Sequence, residues 1–383
     1  MLFVLIIALG GILTLLLSPM QIFGGLARGY LDAPRSSTVL QKIGNSLKTF
    51  DSRVNEYFVF HDLSIHAYGG VQNLINRTLI DDTDKSYEVV KLSNGYLTFK
   101  SNRDYDYSGL KQYLIRLNRT CDSVGSKLIY VNKISKDTTE VDLLPLFYPY
   151  VYDSNFKSIK TEMEADGITV LDFEDTIVDQ NMDKYSLFFK TDHHWKPKAG
   201  LWVSQSISKK INEEYNWNLN TELFKINNFF VENYPNSFLG SQGKRVGALY
   251  DGVDNFEVII PTFDTNFSVE INDINYYETG TFEETMLHKE SITPNNLLNK
   301  DDTAYDTYMK GNHSLVRITN NKIDTKRTAL VIMDSYGCVV APYLALEFKY
   351  LDCIDIRSYS DSVEEYIKTM SPDIVIYSIT GYQ

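Results

Sequence analysis

At 383 residues the chain is long enough for one large or two ordinary domains with a full core. Hydrophobic residues make up 43% and charged residues 23%, and 27 Tyr and 20 Phe are far too many for a disordered polymer. A formal net charge of −13 leaves no basic footprint for neutralising phosphates, which excludes nucleic acid as the natural partner. It also disfavours a strongly polyanionic acceptor, unless a local patch overrides the net charge.

The first segment, MLFVLIIALGGILTLLL, carries no charge. As a helix rising 1.5 Å per residue it reaches about 25 Å, the short end of a membrane span. Extension through Met20, Ile22 and Phe23 completes the span, so residues 1–23 are expected to form a transmembrane or signal-anchor helix. The alternatives are a buried helix or a cleaved signal peptide, although a basic leader and a small-x-small cleavage site are both missing. Residues 24 to about 45 read as a juxtamembrane linker, and 24–100 as linker plus N-terminal extension. Within it, VVKLSNGYLTF reads as strand, turn at Asn94-Gly95, strand.

From residue 101 onward helical and strand-like stretches alternate. GLKQYLIRLNRTCDSVG is amphipathic, and KLIYVNKI, ITVLDF, TALVIMDS, YLDCIDI and PDIVIY are short, nearly continuous apolar runs. That alternation predicts an α/β domain over 101–383, with a mainly parallel sheet covered on both faces. Residues 205 to about 310, rich in Asn, Thr, Tyr and Phe, read as an irregular, β-leaning insertion that walls a cleft. Cys121, Cys338 and Cys353 have no metal-type spacing, and Cys338 and Cys353 read as small buried apolar residues.

Reactive groups concentrate in TDHHWKPKAG (191–200) and ALVIMDSYGC (329–338). In the second, Ser335 follows directly on an apolar strand, at the carboxyl end where open α/β sheets bind ligands. A serine at such a turn exposes its Oγ, and the next backbone N–H groups are candidate oxyanion donors. The simpler reading is that Asp334-Ser335 caps a helix. The first segment changes the balance, because serine needs a base within reach and the base needs an orienting partner. His194 and Asp192 supply both. If the segment is extended, their side chains share a face and His193 points away. A metal site built from Asp192, His193 and His194 is the rival reading, but no second His/Glu cluster supports it, so no metal or cofactor is expected.

The string Asp192-His193-His194-Trp195 resembles the signature of the DHHW family, which is similar to the alginate O-acetyltransferases of the SGNH-hydrolase-like group. NGYLTF at 94–99, FLGSQGKRVG at 238–247, YMKGNHS at 308–314, DSYG at 334–337, IDIR at 354–357 and PDIVI at 372–376 follow in the family's order. The resemblance therefore covers nearly the whole chain after the apolar segment. It implies an SGNH-hydrolase-like three-layer fold with permuted motif order, and Ser335 as nucleophile, His194 as base and Asp192 as orienter.

Asn312 resembles the family's oxyanion asparagine, with a plain turn residue as the alternative. Arg245 is a candidate acyl- or substrate-positioning group, or else a solvated loop residue. Trp195 and Tyr336 are candidates for stacking on a sugar, or else pack around the site. Arg28, Arg35 and Lys42 follow the apolar segment and would by themselves place the body inside. The resemblance instead implies an extracytoplasmic catalytic domain on a single-pass anchor.

The implied activity is an O-acetyltransferase that moves acetyl groups onto hydroxyls of an extracellular polysaccharide through an acetyl-serine. The acetyl would be supplied by a membrane-bound acyltransferase of the MBOAT class docked at the N-terminal helix. The same residues would serve an acetyl-polysaccharide esterase with water as acceptor. A non-catalytic polysaccharide-assembly subunit is the alternative from a different class. The chain ends six residues after PDIVIY, so acceptor capture is expected from the catalytic domain or from partners.

Overall fold

Apolar residues run almost without a break along the central strands, so that each strand buries both faces, and this decides the architecture. A computed structural model describes residues 2–82, 84–100, 107–136, 141–146, 148, 156–298 and 303–379. Met1, the expected domain junction at 101–106 and residues 380–383 lie outside the described residues. The chain divides into two compact units, one of residues 1–76 with 246–250 and one of residues 77–245 with 251–383.

The first unit is helical. Helix α1 (Leu2–Leu17) ends at Ser18, and Pro19 opens α2 (Pro19–Leu31). Pro is favoured at the first helical position and cannot continue a preceding helix. The expected straight helix over 1–23 is therefore broken. Among the described residues no single helix is long and apolar enough to cross a membrane, and the pair Leu9–Leu17 and Pro19–Leu31 passes that test only together, bent by 81°.

The expected linker at 24–45 is also largely helical. α2 runs to Leu31, and α3 (Val39–Glu56) starts at a capping box between Thr38 and Gln41. Glycine allows the two helices to approach, since a Cβ on Gly29 would sit 2.5 Å from Thr49 Oγ1 and 2.8 Å from Asn45 O. Helix α4 (His61–Leu74) completes the helical series, and His66 Nδ1 accepts from the Ala248 N–H at 2.9 Å.

In the second unit, β1 (Leu79–Ile80), β2 (Val89–Lys91) and β3 (Leu97–Phe99) form a small antiparallel sheet, with the expected turn at Gly95 in the left-handed region (φ 84°). Helix α5 (Tyr107–Ser123), β4 (Lys127–Asn132), α6 (Phe156–Ala165), β5 (Thr169–Asp172), α7 (Phe173–Asp179) and α8 (Pro197–Tyr215) follow. Next come β6 (Phe229–Phe238), β7 (Asp254–Pro261), β8 (Phe267–Ile271) and β9 (Tyr276–Gly280). The last strands are β10 (Leu315–Asn320), β11 (Thr328–Met333), β12 (Tyr350–Asp355) and β13 (Ile374–Ser378).

The main sheet has eight strands in the order β5-β4-β13-β11-β12-β10-β8-β9. The pairs from β5 to β12 are parallel, while β10, β8 and β9 pair antiparallel. The sheet is thus mixed, because part of the 205–310 segment does not stay outside as an insertion: β8 and β9 extend the sheet, and only β6 and β7 form a ribbon of their own.

Side-chain alternation builds the layers. Leu128 and Tyr130 of β4, Leu330 and Ile332 of β11, and Val375 and Tyr377 of β13 pack with α5 and the helix Val363–Met370. Ile129, Val131, Val331, Met333, Ile374 and Ile376 face the other way and pack with α7 and α8. The result is a three-layer sandwich, and the loop after β11 emerges at the carboxyl edge of its parallel part.

Ile332 is fully buried in the centre of the sheet. Replacing it with Ala should cost about 2–5 kcal/mol, since the lost transfer energy adds to that of the cavity left behind. The expected outcome is a lower urea midpoint with an unchanged slope. An unchanged midpoint would contradict this packing.

Candidate active site

Ser335 opens a short 3-10 turn, Ser335–Val339, directly after β11. Asp334 caps that turn by accepting from the Tyr336 N–H at 3.1 Å, and the Gly337 N–H donates to Asp334 O at 2.9 Å. Both expected oxyanion donors after Ser335 are therefore committed within the turn. The Ser335 N–H makes no hydrogen bond among the described residues, which leaves it free to face a ligand oxygen.

The 191–194 segment reaches the turn from across the sheet edge. His194 Nε2 lies 2.8 Å from Ser335 Oγ, and His194 Nδ1 lies 2.6 Å from Asp192 Oδ1. Asp192 Oδ1 also accepts from the His194 N–H at 2.8 Å, and Oδ2 accepts from the Ser241 N–H. These distances suit a hydroxyl donating to an imidazole whose opposite nitrogen is held by a carboxylate. Burial alone would push the Asp192 carboxyl up. The adjacent His194 and His193, with hydrogen bonds from His194 and the Ser241 N–H, outweigh it and hold Asp192 well below the usual carboxylate range.

The segment is not extended as expected. It bends, and the His193 ring lies against that of His194, with centroids 3.8 Å apart and planes 37° apart. His193 thus flanks the imidazole, with its Nδ1 2.7 Å from Ser241 Oγ. Donor atoms of Asp192, His193 and His194 lie within 4.8 Å of one another. The set fits a metal poorly, because both Asp192 oxygens and His194 Nδ1 already serve the hydrogen bonds above.

The other sequence candidates fall in different places. Trp195 is 1% exposed and packs edge-on against Tyr336 at 5.2 Å, so it cannot stack on a sugar. Tyr336 donates its hydroxyl to His193 O at 2.6 Å and carries the Lys133 ammonium 4.5 Å above its ring; it braces the segment. Arg245 is not brought to Ser335. It pairs with Asp82 and lies 3.8 Å over the Tyr87 ring, which satisfies its guanidinium. Asn312 does reach the turn that Ser335 opens, where its Oδ1 accepts from Arg357 at 3.1 Å and lies 3.5 Å from Cys338 Sγ. That orientation leaves the Asn312 amide nitrogen to donate. All three cysteines are buried free thiols, as read for Cys338 and Cys353.

Sequence reasoning passed over the groups that hold the site together. The Lys136 ammonium, 2% exposed, donates to Phe189 O at 3.0 Å, Lys190 O at 3.2 Å and Asp192 O. Asp254 accepts from the Lys190 and Thr191 N–H groups at 2.8 and 2.7 Å. Lys133 closes on Asp334. Tyr305 stacks on the His194 imidazole at 4.1 Å with planes 19° apart. None of these carries a local sequence signal. Gly240-Ser241 lies inside the FLGSQGKRVG string, and it is this pair, not Arg245, that meets Asp192.

Residues 98–238 match the model of the SGNH hydrolase-like domain of acetyltransferase AlgX, a span that holds Asp192 and His194 but ends before Ser335. The resemblance read from the sequence holds. Solved structures with the same fold include Bacillus cereus PatB1, at 18% identity and a TM-score of 0.61 over 79% of this chain and 96% of that one. A second structure of PatB1, with a sulfonyl adduct, has 17% identity and a TM-score of 0.59 over 76% and 95%. A DHHW family protein from Eubacterium siraeum has 16% identity and a TM-score of 0.57 over 79% and 93%. None of the curated proteins matches the chain. The fold is therefore that of the SGNH-hydrolase-like DHHW proteins.

A depressed carboxyl pKa stabilises the fold only while the group is ionised. Asp192 should contribute its full share above about pH 4, the unfolded carboxyl value, and lose it as pH falls through the lower folded value. Asp192→Asn should accordingly be less stable than wild type at pH 7, with the gap closing as pH drops below about 3. Urea midpoints of the two proteins across pH 2–8 check this, and a gap independent of pH would contradict it.

Proposed function

We propose that this protein transfers acetyl groups to hydroxyls of an extracellular polysaccharide through an acetyl-Ser335 intermediate. The observation that carries the reading is the hydrogen-bonded series from Ser335 Oγ through His194 to the buried Asp192 carboxylate. His194 Nε2 takes the Ser335 proton as Oγ attacks the acetyl carbonyl of a donor ester, and the same nitrogen then protonates the leaving group. A sugar hydroxyl enters, gives its proton to His194 and attacks the acetyl-serine; His194 returns the proton to Ser335 Oγ. The Ser335 N–H and the Asn312 amide nitrogen are the groups left to bind the oxyanion, and one such donor lowers a barrier by ~3 kcal/mol.

The acetyltransferase family model and the fold shared with DHHW proteins support this reading. The donor would be an acyl carrier in or at the membrane, handed over by an MBOAT-type acyltransferase. The exposed apolar side chains of the first unit, among them Leu16, Leu17, Met20 and Leu31, support attachment there through a bent helix pair. In this reading the second unit faces the extracytoplasmic side.

Ser335→Ala and His194→Ala should each lower acetyl release from a chromogenic acetyl ester by about three orders of magnitude or more, with the double variant hardly worse than either single one, because such groups act as a unit. His193→Ala should also be damaging, by about tenfold, because its ring flanks His194. Wild-type rates in Ser335→Ala would refute the assignment.

A further inference from the structure

Tyr305 has no place in any motif read from the sequence, yet its ring is the most nearly parallel neighbour of the His194 imidazole. The residue is 4% exposed, and its hydroxyl is buried without a hydrogen-bond partner among the described residues. A buried unpaired phenol hydroxyl is destabilising, so Phe would fit this position better on stability grounds alone. An aromatic ring held at 4.1 Å over the base is therefore better explained by what its face does for the imidazole.

Asp192 and Ser335 fix the two nitrogens of His194 but leave the ring able to tip about the line joining them. A ring stacked on one face blocks that tipping. An aromatic face also carries negative charge density, which favours a cation placed over it. We propose that Tyr305 is a positioning residue for His194, holding the imidazole level between Asp192 and Ser335 and stabilising the imidazolium formed when Ser335 gives up its proton. The inference rests on the acyl-transfer reading above and adds a residue that acts through His194 without touching substrate.

The other groups around His194 are fixed points in the test. From its own segment come Asp192 and His193, whose ring is 3.8 Å away. From the nucleophile turn come Ser335 and Tyr336, the latter at 5.2 Å, with the Lys133–Asp334 pair against Tyr336. Burial pushes the Tyr305 phenol well above the usual tyrosine range, and Cys338, Asp192, Tyr336 and Asp334 act in the same direction, so it stays neutral throughout. Only the stacked ring changes when Tyr305 is replaced.

The full chain with nitrogen-labelled histidine, assigned by His194→Gln among its six His, would be titrated by NMR in wild type, Tyr305→Phe and Tyr305→Leu. Tyr305→Phe keeps the face and should leave the His194 titration, kcat and thermal midpoint at or above wild-type values. Tyr305→Leu removes it and should lower the His194 pKa by about half a unit to one unit. It should also shift the acidic limb of the rate profile equally and cut kcat about tenfold with KM little changed. An unshifted His194 titration in Tyr305→Leu, or Phe behaving like Leu, would overturn the proposal. The titration needs no turnover, so an inactive wild type in which Leu still shifts His194 would refute the acyl-transfer reading and leave the Tyr305 inference standing.

Discussion

A carboxylate at Asp192, 3% exposed, is the constraint on which the site depends. A buried charge survives only where hydrogen bonds and opposite charge replace lost water. Asp192 has the His194 ring nitrogen, the His194 N–H and the Ser241 N–H, three donors over its two oxygens. Bringing the Ser241 N–H that close leaves no space at the preceding residue: a Cβ on Gly240 would lie 2.0 Å from Asp192 Cβ. The backbone carbonyl of Asp192 is meanwhile held by the Lys136 ammonium, itself deep in the core. Through its side chain and its backbone carbonyl Asp192 is thereby tied to two distant chain segments, and the orientation of His194 follows from it.

The sheet supplies the other half of the geometry. Ser335 sits where β11 ends because the residue after the strand, Asp334, caps a turn instead of continuing it. The amino end of α8 is pressed onto that turn. Gly200 permits the approach, since a Cβ there would lie 2.0 Å from Val339 O. His194, only a few residues before α8, thus reaches Ser335 as a consequence of how a helix packs on the strand-end turn. Chain order is irrelevant to such a meeting, and so His194 can precede Ser335 by 141 residues.

Much of the fold was legible because its signals are local. Each apolar run expected as a strand, from KLIYVNKI to PDIVIY, forms one, since the signal needs only a short unbroken apolar run within the chain itself. The misreadings were all matters of context. Ser18-Pro19 splits an apolar stretch that composition alone reads as continuous. β8 and β9 look irregular in sequence, yet they join the main sheet through the pairing of β8 with β10, a partner more than forty residues away. His193 was expected to face away on an extended segment; the Lys136 and Asp254 bonds bend that segment and bring the ring back onto His194. Residues such as Lys136, Asp254 and Tyr305 act through contacts spanning tens to more than a hundred positions, and spacing within a motif cannot reveal them.

The most direct measurement is the fate of the acetyl group itself. After brief exposure to an acetyl ester, mass spectrometry of peptides from the intact protein should find one acetyl group on Ser335, and a panel of oligosaccharides should include one that discharges it faster than water and appears acetylated. An adduct on another residue, or none in wild-type protein that still turns the ester over, would contradict the acetyl-serine account, while discharge by water alone would make the protein an esterase.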